Sequence, residues 1–293
     1  MDVKGQIGVK QILTLVFLSL IWGTSFILMK RGLIAFSALQ MACLRICIAG
    51  VCFIPFFIYH IRKEKITSVW KYILVGLTGT AIPAFMFAIA QTQISSSTAG
   101  IMNTLTPIFT ILVGIVFYKM MVNKYQILGV IFGFGGAIAL ILLGKDDDGT
   151  SGNMWYAGFI VIASVLYGIN LNFVKTHFQK ENSVRLSSFS FVLVTIPCLF
   201  YVFSSDIPKI IITPEGMTAF YYVALLSIIS TMIALIIFYK LVQDTNPVFA
   251  SSVSYLVPIV ALLWGIVDNE FIGMGHYVSL ALIMLGIYMI RKG

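Results

Sequence analysis

The chain alternates between long apolar blocks and short polar interruptions. The blocks fall at about residues 11–30, 37–60, 70–91, 96–118, 124–143, 154–177, 184–203, 214–241, 246–266 and 275–291. Each is close to the ~17–25 residues a helix needs to cross the hydrocarbon core of a bilayer. The pattern predicts an all-α integral membrane protein with ten transmembrane helices, and it leaves no room for a soluble domain of useful size. The first block reads as a retained helix. It is longer than the apolar region of a secretory signal, and no A-x-A-like cleavage site precedes Lys30-Arg31.

Composition strengthens this picture. Of 293 residues, 59% are hydrophobic and 10% charged, with a mean hydropathy of +1.00, whereas soluble domains carry about 25% charged residues. A net charge of +8 raises the question of nucleic acid, but its placement answers otherwise. With the N-terminus in the cytoplasm, 14 of the 19 Lys and Arg lie on the cytoplasmic side and 4 on the opposite side, with Arg45 inside a span. This bias predicts cytoplasmic termini. The lipid bilayer is then the partner rather than nucleic acid, and a bacterial plasma (inner) membrane is the expected location. Cys43, Cys47, Cys52 and Cys198 all lie within spans. Without neighbouring His or carboxylate they read as small hydrophobes, so no metal or cofactor is expected.

A shift of 151 residues lays the fourth span on the ninth. Ala99 meets Ala250, Leu105 meets Leu256, Pro107 meets Pro258, and Gly114-Ile115-Val116 meets Gly265-Ile266-Val267. The same shift lays the third span on the eighth, pairing Thr80 with Thr231 and Phe87 with Phe238. A shift of 145 lays "SLIWGTSFILMK" on "SVLYGINLNFVK", pairing Trp22 with Tyr167, Gly23 with Gly168 and Lys30 with Lys175. The expected organisation is two five-helix repeats, residues 1–144 and 153–293, joined by the polar "GKDDDGTSGN". Five crossings per repeat invert the second relative to the first, a build recurrent in secondary transporters.

These segments resemble the drug/metabolite transporter superfamily, in particular its EamA-type members. The residues that carry the resemblance are "WGTSF" (Trp22–Phe26), "LRICIAG" (Leu44–Gly50), "AGIMNTLTPIFTILVG" (Ala99–Gly114) and its counterpart "ASSVSYLVPIVALLWG" (Ala250–Gly265). The resemblance spans nearly the whole chain and implies export of amino acids or related metabolites, with lipophilic drugs as the alternative cargo. The family often has an acidic residue just after its fourth and ninth helices. Glu270 keeps it in the second half, whereas Lys119 stands at the matched position of the first.

Polar residues inside the spans mark the candidate site. In the fourth span Asn103, Thr106 and Pro107 share a face with small residues, and in the ninth Ser254 and Pro258 match them, with Tyr255 alongside. Each proline frees a carbonyl about one turn earlier, near Asn103 or Ser254. Such breaks must face protein or a water-filled space, so Pro107 and Pro258 are candidate hinges. Trp22, Ser25, Phe87, Tyr167 and Asn170 complete a lining that is aromatic and rich in hydroxyl and amide groups, suited to a small amphipathic solute. Arg45 and Glu270 are the candidates for a charged role. Arg45 has two outcomes, snorkelling to the interface or pairing with carbonyls or a substrate carboxylate, and snorkelling is favoured. No Asp or Glu is central in any span, so facilitated diffusion or exchange fits better than carboxylate-driven proton antiport, with Glu270 and His276, at span ends, the groups left to couple protons. "GVIFGFGG" (Gly129–Gly136) reads as a packing face, not a nucleotide loop. The fifth and tenth spans are expected at the periphery, bracing the bundle or forming a homodimer contact. An intramembrane enzyme would need grouped acid/base residues, and His60, His177 and His276 all lie at or beyond span ends. A sensor without transport would not need matched breaks. The reading is a transporter working by alternating access, and not an enzyme.

Overall fold

The computed structural model describes residues 8–63, 68–120, 123–143 and 153–292, so the expected joint Gly144–Asn153 lies outside the described residues except for Asn153. Among the described residues there are helices and no strands. In chain order the long helices are α1 (Val9–Gly32), α2 (Ala38–Lys63), α3 (Val69–Ala90), α4 (Ser96–Tyr118), α5 (Lys124–Leu143), α6 (Met154–His177), α7 (Ser183–Ser204), α8 (Pro214–Asp244), α9 (Pro247–Val267) and α10 (Met274–Lys292). Eight of them are long and apolar enough to cross a membrane, while α5 and α10 carry shorter apolar stretches, Lys124–Leu140 and Met274–Gly286. The outward surface is itself apolar, with Phe117, Ile131, Phe200, Leu263 and Ile266 exposed along the helices. Lipid is the solvent that accommodates such a surface. The chain is a multi-pass helical membrane protein.

Among the described residues, four helices depart from α geometry in their interior. In α3 the turn Leu77–Ala81 is π-helical, and in α8 so is Leu226–Ile233. In α4 Asn103–Leu105 tightens to 3-10, and in α9 so does Ser252–Tyr255. The 151-residue shift that pairs Thr80 with Thr231 and Pro107 with Pro258 superimposes both kinds of departure. The tight turns have a local cause. A proline at 107 or 258 removes one N–H, and the preceding turn contracts so that the carbonyls find nearer donors. The Thr106 N–H thus bonds to the Asn103 carbonyl, and the Leu256 N–H to that of Val253.

Packing repeats the same correspondence. A Cβ on Gly23 would collide with Val260, so α1 lies directly on α9; a Cβ on Gly168 would sit 2.8 Å from the Phe109 backbone, so α6 lies directly on α4. Only glycine permits either approach. Helices α2 and α7 meet at Gly50 and Thr195, and the Thr195 hydroxyl donates to Phe191 O and reaches Ile46 O. Free Cys43, Cys47 and Cys198 are buried in the same core region. Helices α5 and α10 pack on each other, Gly286 lying against the backbone of Gly129 and Gly133. Their small-residue faces are thereby occupied within one chain.

Candidate functional site

The departures from α geometry surround one cavity of about 100 Å³. Helix α1 supplies Trp22, Ser25 and Phe26; α3 supplies Gly79, Thr80 and Phe87; α4 supplies Asn103 and Thr106; α6 supplies Tyr167 and Asn170. The wall is completed by Ser230, Thr231, Phe238 and Tyr239 of α8 and by Ser251 and Ser254 of α9. Eight of the expected contacts therefore line one space: Trp22, Ser25, Phe87, Asn103, Thr106, Tyr167, Asn170 and Ser254. Tyr255 does not join them. It ends the tight turn of α9, and one position along a helix rotates a side chain by about 100°, enough to carry it off the wall. Pro107 and Pro258 are buried behind the lining, each starting the helical segment after its tight turn.

The walls are built from aromatic rings. Trp22 meets Phe238 edge to face at 4.7 Å, Phe26 meets Phe87 at 5.7 Å, and Phe87 stacks with Tyr167 at 6.3 Å. Several polar groups are already spent on holding helices together. The Trp22 indole N–H donates to Ser230 O at 2.9 Å, and the Ser25 hydroxyl donates to Trp22 O. The Asn170 amide donates to Val75 O at 3.0 Å and Thr78 Oγ1 at 3.2 Å, which ties α6 to the π segment of α3 and the turn before it. Thr106 reaches Asn103 Oδ1 at 3.4 Å.

Arg45 does not snorkel. It lines the cavity with the others, half-buried, and donates from Nε to Thr231 Oγ1 at 2.8 Å. The Thr231 hydroxyl in turn donates to Leu226 O, five residues back, at 3.1 Å. The π register brings Thr231 over Leu226, five residues back, so its side chain reaches that carbonyl. One hydroxyl thus joins a cation on α2 to the break in α8. Sequence reading marked Thr231 through its match with Thr80 but not the turn itself, because α8 has Ala234 where α3 has Pro83. Ser230 and Tyr239 also went unmarked, although Tyr239 adjoins the matched Phe238.

A second polar cluster closes the end of the bundle where α1 finishes. The Glu270 carboxylate accepts from the backbone N–H and hydroxyl of Ser96 (3.0 and 2.7 Å), from those of Ser97 (3.0 and 2.6 Å), and from Lys30 Nζ at 2.8 Å. Asp268 pairs with Lys30 and Arg31. Glu270 is therefore an anchor on the N-terminus of α4, where a carboxylate meets free N–H groups and the positive end of the helix dipole. Burial alone would raise its carboxyl pKa; hydrogen bonds from Lys30, Ser97 and Ser96 outweigh this and hold it at about 2. It stays ionised at physiological pH and is engaged in this anchor. His276 Nε2 lies 3.2 Å from Thr98 Oγ1 in the same turn. At the opposite end, Lys175 donates to Gln243 O (3.0 Å) and Thr245 O (2.6 Å).

A helical membrane bundle with a half-polar cavity walled by broken helices defines a small-molecule transporter class, and comparison with known proteins makes the class specific. A sequence model of the EamA-like transporter family matches residues 9–142 and again residues 154–292. The chain belongs to the EamA-like transporter family and is a membrane transporter. It is 24% identical over 272 residues to an uncharacterized transporter of Archaeoglobus fulgidus, covering 92% of this chain and 95% of that one. It is 22% identical to the uncharacterized inner membrane transporter YedA of Escherichia coli K12 (94% and 89%). It is 24% identical to the uncharacterized transporter YoaV of Bacillus subtilis (96% of each). A solved crystal structure with 17% sequence identity superposes at a TM-score of 0.63 over 96% of this chain and 95% of that one, so the fold is shared.

Proposed function

We propose that the protein exports small amphipathic metabolites, amino acids and their relatives first, across a bacterial inner membrane by alternating access. In this reading its ten helices form two inverted five-helix repeats, 1–144 and 153–293, with both termini in the cytoplasm. The observation that carries the reading is the placement of the matched helix breaks. The π turns of α3 and α8 and the tight turns of α4 and α9 all border one central cavity. Broken helices at corresponding positions are where repeats of a transporter rock around the substrate, and unwound turns flex at less cost than intact helix. Pro107 and Pro258 serve as hinges; Trp22, Ser25, Phe87, Asn103, Thr106, Tyr167, Asn170 and Ser254 touch the solute. The small cavity is then an occluded state that widens as either side opens. Helices α5 and α10, absent from the cavity wall, brace the bundle, and any homodimer would use their remaining outward faces.

The test is a flux screen in proteoliposomes over amino acids, sugars, nucleosides and cationic dyes. Uptake of amino acids above protein-free vesicles is expected, and no flux of any class from folded protein would sink the proposal. Asn103→Leu, which keeps the branching at Cγ and removes the amide, is expected to cut flux at least about tenfold. Unchanged flux would take Asn103 off the contact surface.

A further inference from the structure

Arg45 is the one feature of the cavity that a neutral solute leaves unexplained. Its Nε is committed to Thr231, and the cavity it lines holds no carboxylate among the described residues. The described acids lie in the end loops or at helix ends, mostly with cations of their own: Glu181 with Arg185, Asp206 with Lys209, Asp244 with Lys240, and Asp268 and Glu270 with Lys30 and Arg31. The two terminal nitrogens of Arg45 therefore have no protein acceptor among the described residues. A guanidinium inside a membrane bundle normally finds an anion or carbonyls, because an unpaired buried charge is costly.

The geometry goes further than charge. With Nε tethered through Thr231 to the π turn of α8, the guanidinium is held by one edge, leaving a fork of N–H donors whose spacing matches the two oxygens of a carboxylate. The aromatic walls of Trp22, Phe87, Tyr167 and Phe238 stand ready for the rest of the solute. No opposing carboxylate is present in that space to take an ammonium group.

We infer that the cavity selects solutes that bear a carboxylate, which the terminal nitrogens of Arg45 hold, and rejects solutes whose only charge is positive. The inference rests on the cavity being the transport site. It also couples substrate to mechanism, since an anion on Arg45 would pull on the residue that Thr231 links to the break in α8.

Four compounds with one ring separate charge from shape: N-acetylphenylalanine (anion), phenylalanine (zwitterion), phenylalaninamide (cation) and N-acetylphenylalaninamide (neutral). In proteoliposomes, net of protein-free vesicles, the two acids are expected to move at least about tenfold faster than the two amides. Arg45→Gln should erase the preference, so that acids and amides move at one rate, and Arg45→Lys should keep a reduced preference for the acids. Thr231→Val, which frees the guanidinium from its tether, should raise KM for the acids without abolishing their flux. Amides moving as fast as acids in the unaltered protein would overturn the inference while leaving the transport reading intact, and that comparison needs no variant to fold. Retention of the acid preference in Arg45→Gln would overturn it equally. Absence of flux for all four from folded protein that moves another compound of the wider screen would overturn the inference alone, and absence of flux across the whole screen would defeat the transport reading and the inference with it.

Discussion

Lys30 and Lys175 occupy matched places near the ends of α1 and α6, yet opposite ends of the bundle use them differently. Lys30 meets two carboxylates, Asp268 and Glu270, in a cluster that also caps α4. Lys175 meets two backbone carbonyls, those of Gln243 and Thr245. The difference lies in the two acids that follow α9, Asp268 and Glu270, where Phe117 and Lys119 stand after α4. An acid after α9 draws Lys30 across to the α9–α10 connection and onto the start of α4. A lysine after α4 offers Lys175 nothing, so it turns to the α8–α9 connection instead. The lesson is that near-equivalent backbones can be closed by charge at one end and by dipoles at the other. A partly buried ion pair, once formed, is costly to break because the surviving charge stays uncompensated.

The largest effect is expected from Glu270→Gln. Removing the carboxylate leaves Lys30 with Asp268 alone and weakens four hydrogen bonds at the start of α4, so stability should fall by about 3 kcal/mol. A thermal unfolding midpoint in detergent within a degree or two of the parent protein would contradict the anchoring role.

The pH dependence breaks the comparison along another axis. Glu270 titrates near 2 in the folded protein, below the ordinary carboxylate value of 4.5. Its contribution is complete above about pH 4.5 and is lost as pH falls toward 2, amounting to about 3 kcal/mol by linkage. The parent protein should lose stability through this window, and Glu270→Gln should lose correspondingly less. Parallel pH profiles for the two would refute the assignment.

Lys175→Met should cost less, about 1.5–3 kcal/mol for charge-assisted hydrogen bonds to carbonyls. The hydrogen bonds run to carbonyls, which do not titrate, so most of the loss at pH 7 should persist at pH 4; a loss that vanishes at pH 4 would assign it to the neighbouring Asp244 charge instead. The smallest effect concerns the two left-handed residues that follow α4 and α9, Lys119 (φ 53°) and Asn269 (φ 55°). Asparagine tolerates this conformation better than lysine. Lys119→Gly should therefore stabilise by up to about 1 kcal/mol and Asn269→Gly by a few tenths, and the reverse order of midpoints would break the equivalence of the two turns.

Much of the fold was legible in the sequence. The spans follow from the length of apolar runs, which is a local property, and the described helices fall within a few residues of them. The tight turns at Asn103 and Ser254 were signalled by Pro107 and Pro258, since a missing N–H acts within one turn of its own position. The π turns were not signalled in the same way. That of α3 precedes Pro83, but that of α8 has Ala234 at the matched position and no proline to mark it. The candidate site was half legible: repeat matching brought forward Trp22, Asn103, Tyr167 and Ser254, but placed Tyr255 one position too generously.

By itself, the sequence determined that the chain enters a membrane, where its helices run, and where proline and small residues recur at a fixed spacing, because hydrophobic length and residue pattern act within a helix. Only the tertiary structure decided what the charges do. Glu270 lies 174 residues from Ser96, and Arg45 lies 186 from Thr231. An ionised group in a low-dielectric bundle takes its role from whichever partner folding carries to it.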